Sequence, residues 1–257
     1  MDRAAHAFRT RVFDQYWPLD EAITTIASTL PSYNFLSSPS GQHAHIYLMR
    51  FVRELSEEHL ARPLGEFRVL DWGCGKEHVS KLMMDPGPGE LDSCDVVSEK
   101  VDSAVGQETP IIQRFGIPVK PLEHPCLLPY EDETFDVLLS VGVLEHVSND
   151  GASLREIKRV LKPGELSLCF FLPRTLSWTQ KLANARGDNY DDRPYSKAVV
   201  KELMGKAGLE LLDLWYRQVL PKNSVHYPKS RLFERLVQFV TEHTPLRYFA
   251  TNVEFVG

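Results

Sequence analysis

Asp71 stands directly before Trp72-Gly73-Cys74-Gly75-Lys76, and Asp95 follows it by 24 positions. Val69 and Leu70 in front of Asp71 read as the end of a buried strand. The chain then passes through a glycine-containing turn into a helix. Glycines there let backbone approach a ligand closely, and a helix N-terminus offers unpaired N–H groups. Alone, the Gly-x-Gly pair also describes an ordinary tight turn between strand and helix. Asp95 closes a second apolar run, where a doubly wound fold presents a carboxylate to ribose hydroxyls; the other reading is an exposed cap at a strand end. A nicotinamide site needs Gly-x-Gly-x-x-Gly, and His78 occupies the place of its third glycine.

The elements that must position these residues change character along the chain. Residues 1–64 carry helix-like apolar spacing broken at Pro18, Pro31 and Ser37-Ser38-Pro39-Ser40-Gly41, which reads as a helical N-terminal cap. Its best helix starts near Ser40 and ends before Pro63. In Gln42-His43-Ala44-His45 the two histidines are two apart and diverge on a helix, so they read as surface or cap residues and not as a metal pair. No metal set is expected.

From Phe67 onward short apolar runs alternate with amphipathic segments, the pattern of βαβ units. The runs are Arg68 to Asp71, Leu91 to Val96, Ile117 to Leu122, Asp136 to Val141 and Leu166 to Leu172. Helices are expected over Glu77 to Met84, Ser98 to Gly106 and Ala152 to Leu161, the last stopped by Lys162-Pro163-Gly164. A polar stretch follows Pro173; then come a helix from Ser196 to Ala207, a strand from Leu209 to Tyr216 and a strand-like run from Ala250 to Val256. Residues 217–249 are too long for a hairpin loop and read as a functional insertion. Its amphipathic helix, Ser230 to Glu242, suits either core packing or contact with a membrane or lipid.

Composition sets the outer limits. The 257 residues are 43% hydrophobic and 25% charged, ordinary for an ordered globular chain. A net charge of -6 argues against broad capture of a nucleic-acid backbone, so no nucleic acid is expected. Cys74, Cys94, Cys126 and Cys169 form no Cys-x-x-Cys pair and fit a reducing cytoplasm. With neither a signal-peptide pattern nor an apolar run of spanning length, a soluble, cytoplasmic protein without a transmembrane segment is expected. Oligomeric state is not legible.

Val69 to Lys76 resembles the first motif of the class I S-adenosylmethionine-dependent methyltransferases. Leu128 to Val137, Ser140 to Val147 and Glu156 to Leu166 resemble, in order, the entry to their fourth strand, the loop beyond it and the helix and turn before the fifth. The nearest branch is the type 11 group, whose members act on quinones, lipids, sugars and other small metabolites. The resemblance implies an α/β, Rossmann-like, seven-stranded, mostly parallel sheet with its last strand antiparallel, spanning 65–257 beside the cap at 1–64. It implies S-adenosylmethionine as cofactor, with Asp71, Gly73, Cys74 and Gly75 at its methionine end, Asp95 and Val96 at its ribose, and Ser140 and Val141 near the sulfonium. The activity implied is methyl transfer by direct displacement to a small-molecule or lipid- or sugar-linked acceptor.

Two positions depart from the family pattern. Glu77 stands where a third glycine is usual, and His124 stands where an acidic residue often contacts adenine. They motivate the rival reading of a non-catalytic binding or scaffold protein on the same fold. His124 is carried forward as the adenine-side residue. His146, just past the fourth strand, is the candidate base for an acceptor hydroxyl, or else a residue that steadies the loop. The resemblance continues loosely from Arg174 to Tyr195, where Tyr190, Arg193 and Tyr195 are expected at the acceptor unless the segment is a solvated connection.

Overall fold

A computed structural model describes residues 8–9, 11–12, 39–75, 87–96, 118–124, 126–185, 193–219, 236, 239–241 and 243–257. In chain order the elements are α1 (Pro39–Leu60), β1 (Arg68–Trp72), β2 (Glu90–Val96), β3 (Val119–Leu122), β4 (Phe135–Val141), α2 (Asp150–Val160), β5 (Leu161–Pro173), α3 (Trp178–Ala185), α4 (Lys197–Ala207), β6 (Asp213–Arg217) and β7 (Asn252–Val256). They build a seven-stranded sheet in the order β3-β2-β1-β4-β5-β7-β6. Pairs β1–β2, β1–β4, β2–β3 and β4–β5 are parallel, whereas β7 runs antiparallel to both neighbours. The α/β fold expected from the alternating runs is therefore present. The helices expected over Glu77 to Met84 and Ser98 to Gly106 lie outside the described residues.

Alternation of side chains along each strand assigns the core to two faces. Val69, Val137, Leu139, Leu168 and Phe170 join Phe51, Val52 and Leu48 of α1 on one face; Leu70, Leu138, Leu172 and Phe255 join Leu154 and Ile157 of α2 and Val200 and Met204 of α4 on the other. Burial on both faces explains why these strands read as continuous apolar runs. The central residue of the α1 layer is Phe51, whose ring lies 5.5 Å from Phe8, 5.4 Å from Trp215 and 6.1 Å from Phe170. Burying such a ring stabilises by about 2–3 kcal/mol, so α1 is one of the layers that close the core.

Helix ends follow local chemistry. Asn149 caps α2 by accepting from the Ala152 amide at 2.9 Å, and Ser196 caps α4 by accepting from the Val199 amide at 3.2 Å.

Two strand starts, one helix and one histidine differ from the sequence reading. Strand β5 begins at Leu161, which pairs with Phe135, and the register shift before Val137 absorbs Lys162-Pro163-Gly164 as a bulge. Within the polar stretch after Pro173, the helix α3 forms; its Trp178 indole donates to the Val219 carbonyl at 2.5 Å. Strand β6 starts at Asp213, not Leu209, where a buried ion pair with Arg9 fixes its first residue. His45 is buried, its ring 5.5 Å from Phe171, and is no surface histidine. The side chain of His43 lies outside the described residues, as does most of 217–249; Leu236, Phe239, Val240 and Thr241 are helical.

Candidate active site

In a parallel sheet the loops beyond the strand C-termini share one edge, and here that edge gathers most of the candidate residues. At the end of β1, Gly73 has φ +69° and Gly75 φ +57°, a region that disfavours side chains. A Cβ at Gly73 would lie 2.5 Å from Val143 Cγ2, so the loop after β4 packs directly on the turn after β1. The amides of Gly73 and Cys74 donate to the Cys94 carbonyl at 2.8 and 3.3 Å. Asp95, only 6% exposed, accepts from the Gly75 amide on Oδ2 at 2.9 Å and from the Val96 amide on Oδ1 at 2.7 Å. A carboxylate at the end of a strand can accept from both hydroxyls of a ribose. As an acceptor, Asp95 thus fits a ribose.

Asp71 is buried in β1 with Leu139 of β4 as its register partner. Burial first, then the carboxylates of Asp71 and Asp95, pushes the Cys74 thiol up, which disfavours a thiolate there. In β4, Ser140 is level with Trp72 of β1 and accepts from the buried Cys169 thiol at 3.8 Å. Val141 is half-buried at the strand end, and the Gly142 amide donates to the Phe170 carbonyl at 3.0 Å. Glu77 lies outside the described residues.

His124 follows β3 on the same edge. Its Nδ1 accepts from the amides of Cys126 and Leu127 at 3.1 and 3.0 Å. With Nδ1 accepting, Nε2 is the ring nitrogen left to donate.

The loop after β4 carries His146, 49% exposed, with Nε2 3.9 Å from Oε1 of the buried Glu145. Residues expected at the acceptor instead brace this loop. Tyr195 is 0% exposed, and its hydroxyl donates to the Leu144 carbonyl at 2.9 Å. Arg193 donates to the Val147 carbonyl at 3.2 Å, and its guanidinium meets Asp150 Oδ2 at 3.2 Å. Tyr195 is therefore a support inside the fold and not a surface residue; Tyr190 lies outside the described residues.

Sequence reasoning missed the clamp beneath the site. Arg159 of α2 donates to the carbonyls of Leu128 and Tyr130 at 3.1 and 2.8 Å and to Asp132 Oδ1 at 2.8 Å. It also donates to both oxygens of Glu156, which accepts in turn from the Leu128 amide at 3.1 Å. The segment Leu128 to Val137 and the helix holding Glu156 and Arg159 are thereby one structural unit. A glutamate three positions before an arginine was the available signal. Val143 and Glu145 left none, because their roles come from a turn that folds back.

The comparisons agree with this layout. A family model described as a methyltransferase domain matches residues 70–169. The chain is 31% identical over 134 residues to the ubiquinone biosynthesis O-methyltransferase of Parvibaculum lavamentivorans, covering 50% of this chain and 51% of that protein. It is 27% identical over 205 residues to the enzyme of the same name from Azorhizobium caulinodans, covering 68% and 76%. The chain thus spans about half the length of the first of these relatives. Among solved structures it is similar to the YcgJ protein of Bacillus subtilis, with a TM-score of 0.54, 19% identity and coverage of 83% and 97%. It is also similar to the cyclase SpnF, with a TM-score of 0.53, 18% identity and coverage of 96% and 93%. At these identities the two structures show a shared fold only.

Proposed function

We propose that this chain, whose residues 70–169 match a methyltransferase-domain family model, is an S-adenosylmethionine-dependent methyltransferase that transfers a methyl group from that cofactor to an oxygen of a small-molecule acceptor. The observation that carries the reading is the Asp95 carboxylate on the Gly75 amide, with Gly73 held at positive φ under Val143. Those contacts bring a ribose-binding acid, a close-approach turn and the edge of β4 together. An oxygen acceptor draws its support from the O-methyltransferase names of the relatives.

Bound at this edge, the cofactor supplies an electrophilic methyl on a sulfonium, and displacement needs no metal or covalent intermediate. What the chain contributes is alignment of the acceptor with that methyl, a contribution of several kcal/mol in well-oriented reactions. His146 is the group positioned to take the hydroxyl proton. Its Nε2 lies 3.9 Å from Glu145 Oε1, a carboxylate that would favour the protonated ring once the proton is taken. His124 offers an Nε2–H on the adenine side. Four free thiols suit a reducing compartment such as the cytoplasm, and among the described residues no helix is long and apolar enough to cross a membrane.

Calorimetric titration with S-adenosylmethionine and S-adenosylhomocysteine tests this reading. Micromolar binding of both, about −8 kcal/mol, is the expected result. A folded sample that binds neither overturns it in favour of a non-catalytic scaffold.

A further inference from the structure

Farther along the sheet from the cofactor turn, three cations gather, and among the described residues no acid pairs with them. Arg174 is the residue after β5; it is 5% exposed, with its guanidinium carbon 4.1 Å from the centre of the Tyr216 ring. Lys197, the first residue of α4, holds Nζ 4.4 Å from the same ring and donates to the Leu214 carbonyl at 2.9 Å. Arg247 lies in the 3-10 helix Pro245–Phe249, whose Arg247 and Tyr248 carbonyls both accept from Arg174 Nη1. Elsewhere buried cations have partners: Arg9 pairs with Asp213 and Arg217 with Glu254. Among the described residues no carboxylate forms an ion pair with Arg174, Lys197 or Arg247. Burial, and then Arg9, Arg247, Lys201 and Arg174, push the Lys197 ammonium down to about 8. Carbonyl acceptors and the Tyr216 ring satisfy part of this charge, and an anion beside the cluster would offset the remaining like-charge repulsion.

The topology places the cluster on the same edge as the cofactor turn. Strand β6 runs parallel to β5, because β7 is antiparallel to both. Tyr216 near the end of β6, Arg174 after β5 and Thr251 before β7 therefore share the side on which β1 ends at Gly73. The Arg174 amide donates to the Thr251 carbonyl at 3.0 Å, which ties two of these ends together. Leu176 lies two residues past Arg174, and Leu246, Tyr248 and Phe249 surround Arg247 in sequence; all four are exposed. They supply an apolar flank beside the charges.

We infer that Arg174, Lys197 and Arg247 form a subsite for an anionic group, a carboxylate or phosphate, carried by the methyl acceptor. The inference rests on the methyltransferase reading and adds the acceptor's class. Two to three strand spacings separate the end of β4 from the cluster, so the anion sits on the order of 10–15 Å from the methylated atom. The acceptor is an extended molecule with an apolar body between an oxygen nucleophile and an acidic end. A compact neutral acceptor does not use the subsite.

The test is direct binding of inorganic phosphate and of octanoate to the full chain at low ionic strength, measured by calorimetry. The parent is compared with Lys197→Gln/Arg247→Gln and with Lys197→Arg. Binding of at least one anion by the parent, weakened roughly tenfold or more in the double variant and retained in Lys197→Arg, is expected for a charge-assisted site. Which of the two anions binds identifies the acid as phosphate or carboxylate. Equal affinity in parent and double variant, or binding of neither anion by the parent, overturns the subsite. Titration of each protein with S-adenosylhomocysteine reports folding and the cofactor reading separately: anion binding without cofactor binding keeps the subsite and removes the methyl donor.

Discussion

Asp95 holds the turn that it faces, since its Oδ2 accepts from the Gly75 amide at 2.9 Å while Oδ1 accepts from the Val96 amide at 2.7 Å. One carboxylate therefore shapes the glycine turn at the edge where a ribose is proposed to bind. From sequence, a change at Asp95 would touch binding alone; from structure it also loosens the turn.

Asp95→Ala should weaken S-adenosylhomocysteine binding by about 10- to 100-fold, as expected for losing bonds to a charged group worth about 1.5–3 kcal/mol. It should also lower the denaturation midpoint. Calorimetry paired with a urea titration checks both, and unchanged affinity would remove the ribose assignment.

Gly73→Ala should destabilise the protein by about 2–4 kcal/mol, from positive φ and from contact with Val143. Adding Val143→Ala should recover the steric part only. If the single variant unfolds at the parental midpoint, the tight seam between the β1 turn and the β4 loop is wrong.

Arg159→Met should cost about 1–3 kcal/mol, because it removes the donor that serves two loop carbonyls, Asp132 and Glu156. Its effect should depend on pH. The Arg159 hydrogen bonds, and the Leu128 amide after them, lower the Glu156 pKa despite burial. For Asp136 burial raises the pKa, yet the Arg68 amide, Lys162 and Arg62 outweigh it and the net shift is down. A carboxylate with a lowered folded value stabilises above its unfolded value of about 4 and loses that contribution as pH falls through the folded one. Urea midpoints of the parent should therefore fall below pH about 4. Glu156→Gln should make that fall shallower; a curve superimposable on the parent's would refute the clamp's electrostatic role.

Tyr195→Phe should lower stability by about 1 kcal/mol through the lost bond to the Leu144 carbonyl. Once an acceptor is known, its KM should stay near the parental value, because the ring is buried beneath the loop. A large rise in KM with unchanged stability would instead restore Tyr195 to the acceptor.

His146→Ala should lower kcat by about 100-fold or more, the range of general-base contributions, while cofactor affinity stays close to the parent's. A kcat–pH profile matching the parent's in height and shape would leave the histidine with a loop-steadying role.

Much of this protein is legible in its residues. Runs such as Val69-Leu70 and Val137-Leu138-Leu139 mark strands buried on both faces, because alternate side chains enter different cores. The turn after Asp71 and the acid Asp95 mark a candidate ligand edge, because positive φ restricts residue type and a strand-end carboxylate suits a ribose. The helices expected over Ala152 to Leu161 and Ser196 to Ala207 are marked by their amphipathic spacing. All of these depend on interactions close in sequence or on a strict period.

Tertiary structure alone decided what depends on which distant segments meet. Tyr195 and Arg193 look like residues of a binding loop, yet their partners are Leu144, Val147 and Asp150, roughly fifty positions earlier. Arg174, Lys197 and Arg247 are three isolated cations along the chain; they become one cluster because β7 inserts between β5 and β6 and brings 245–249 back to that edge. Residue type limits what a side chain can do. Strand order determines which other side chains it does it with.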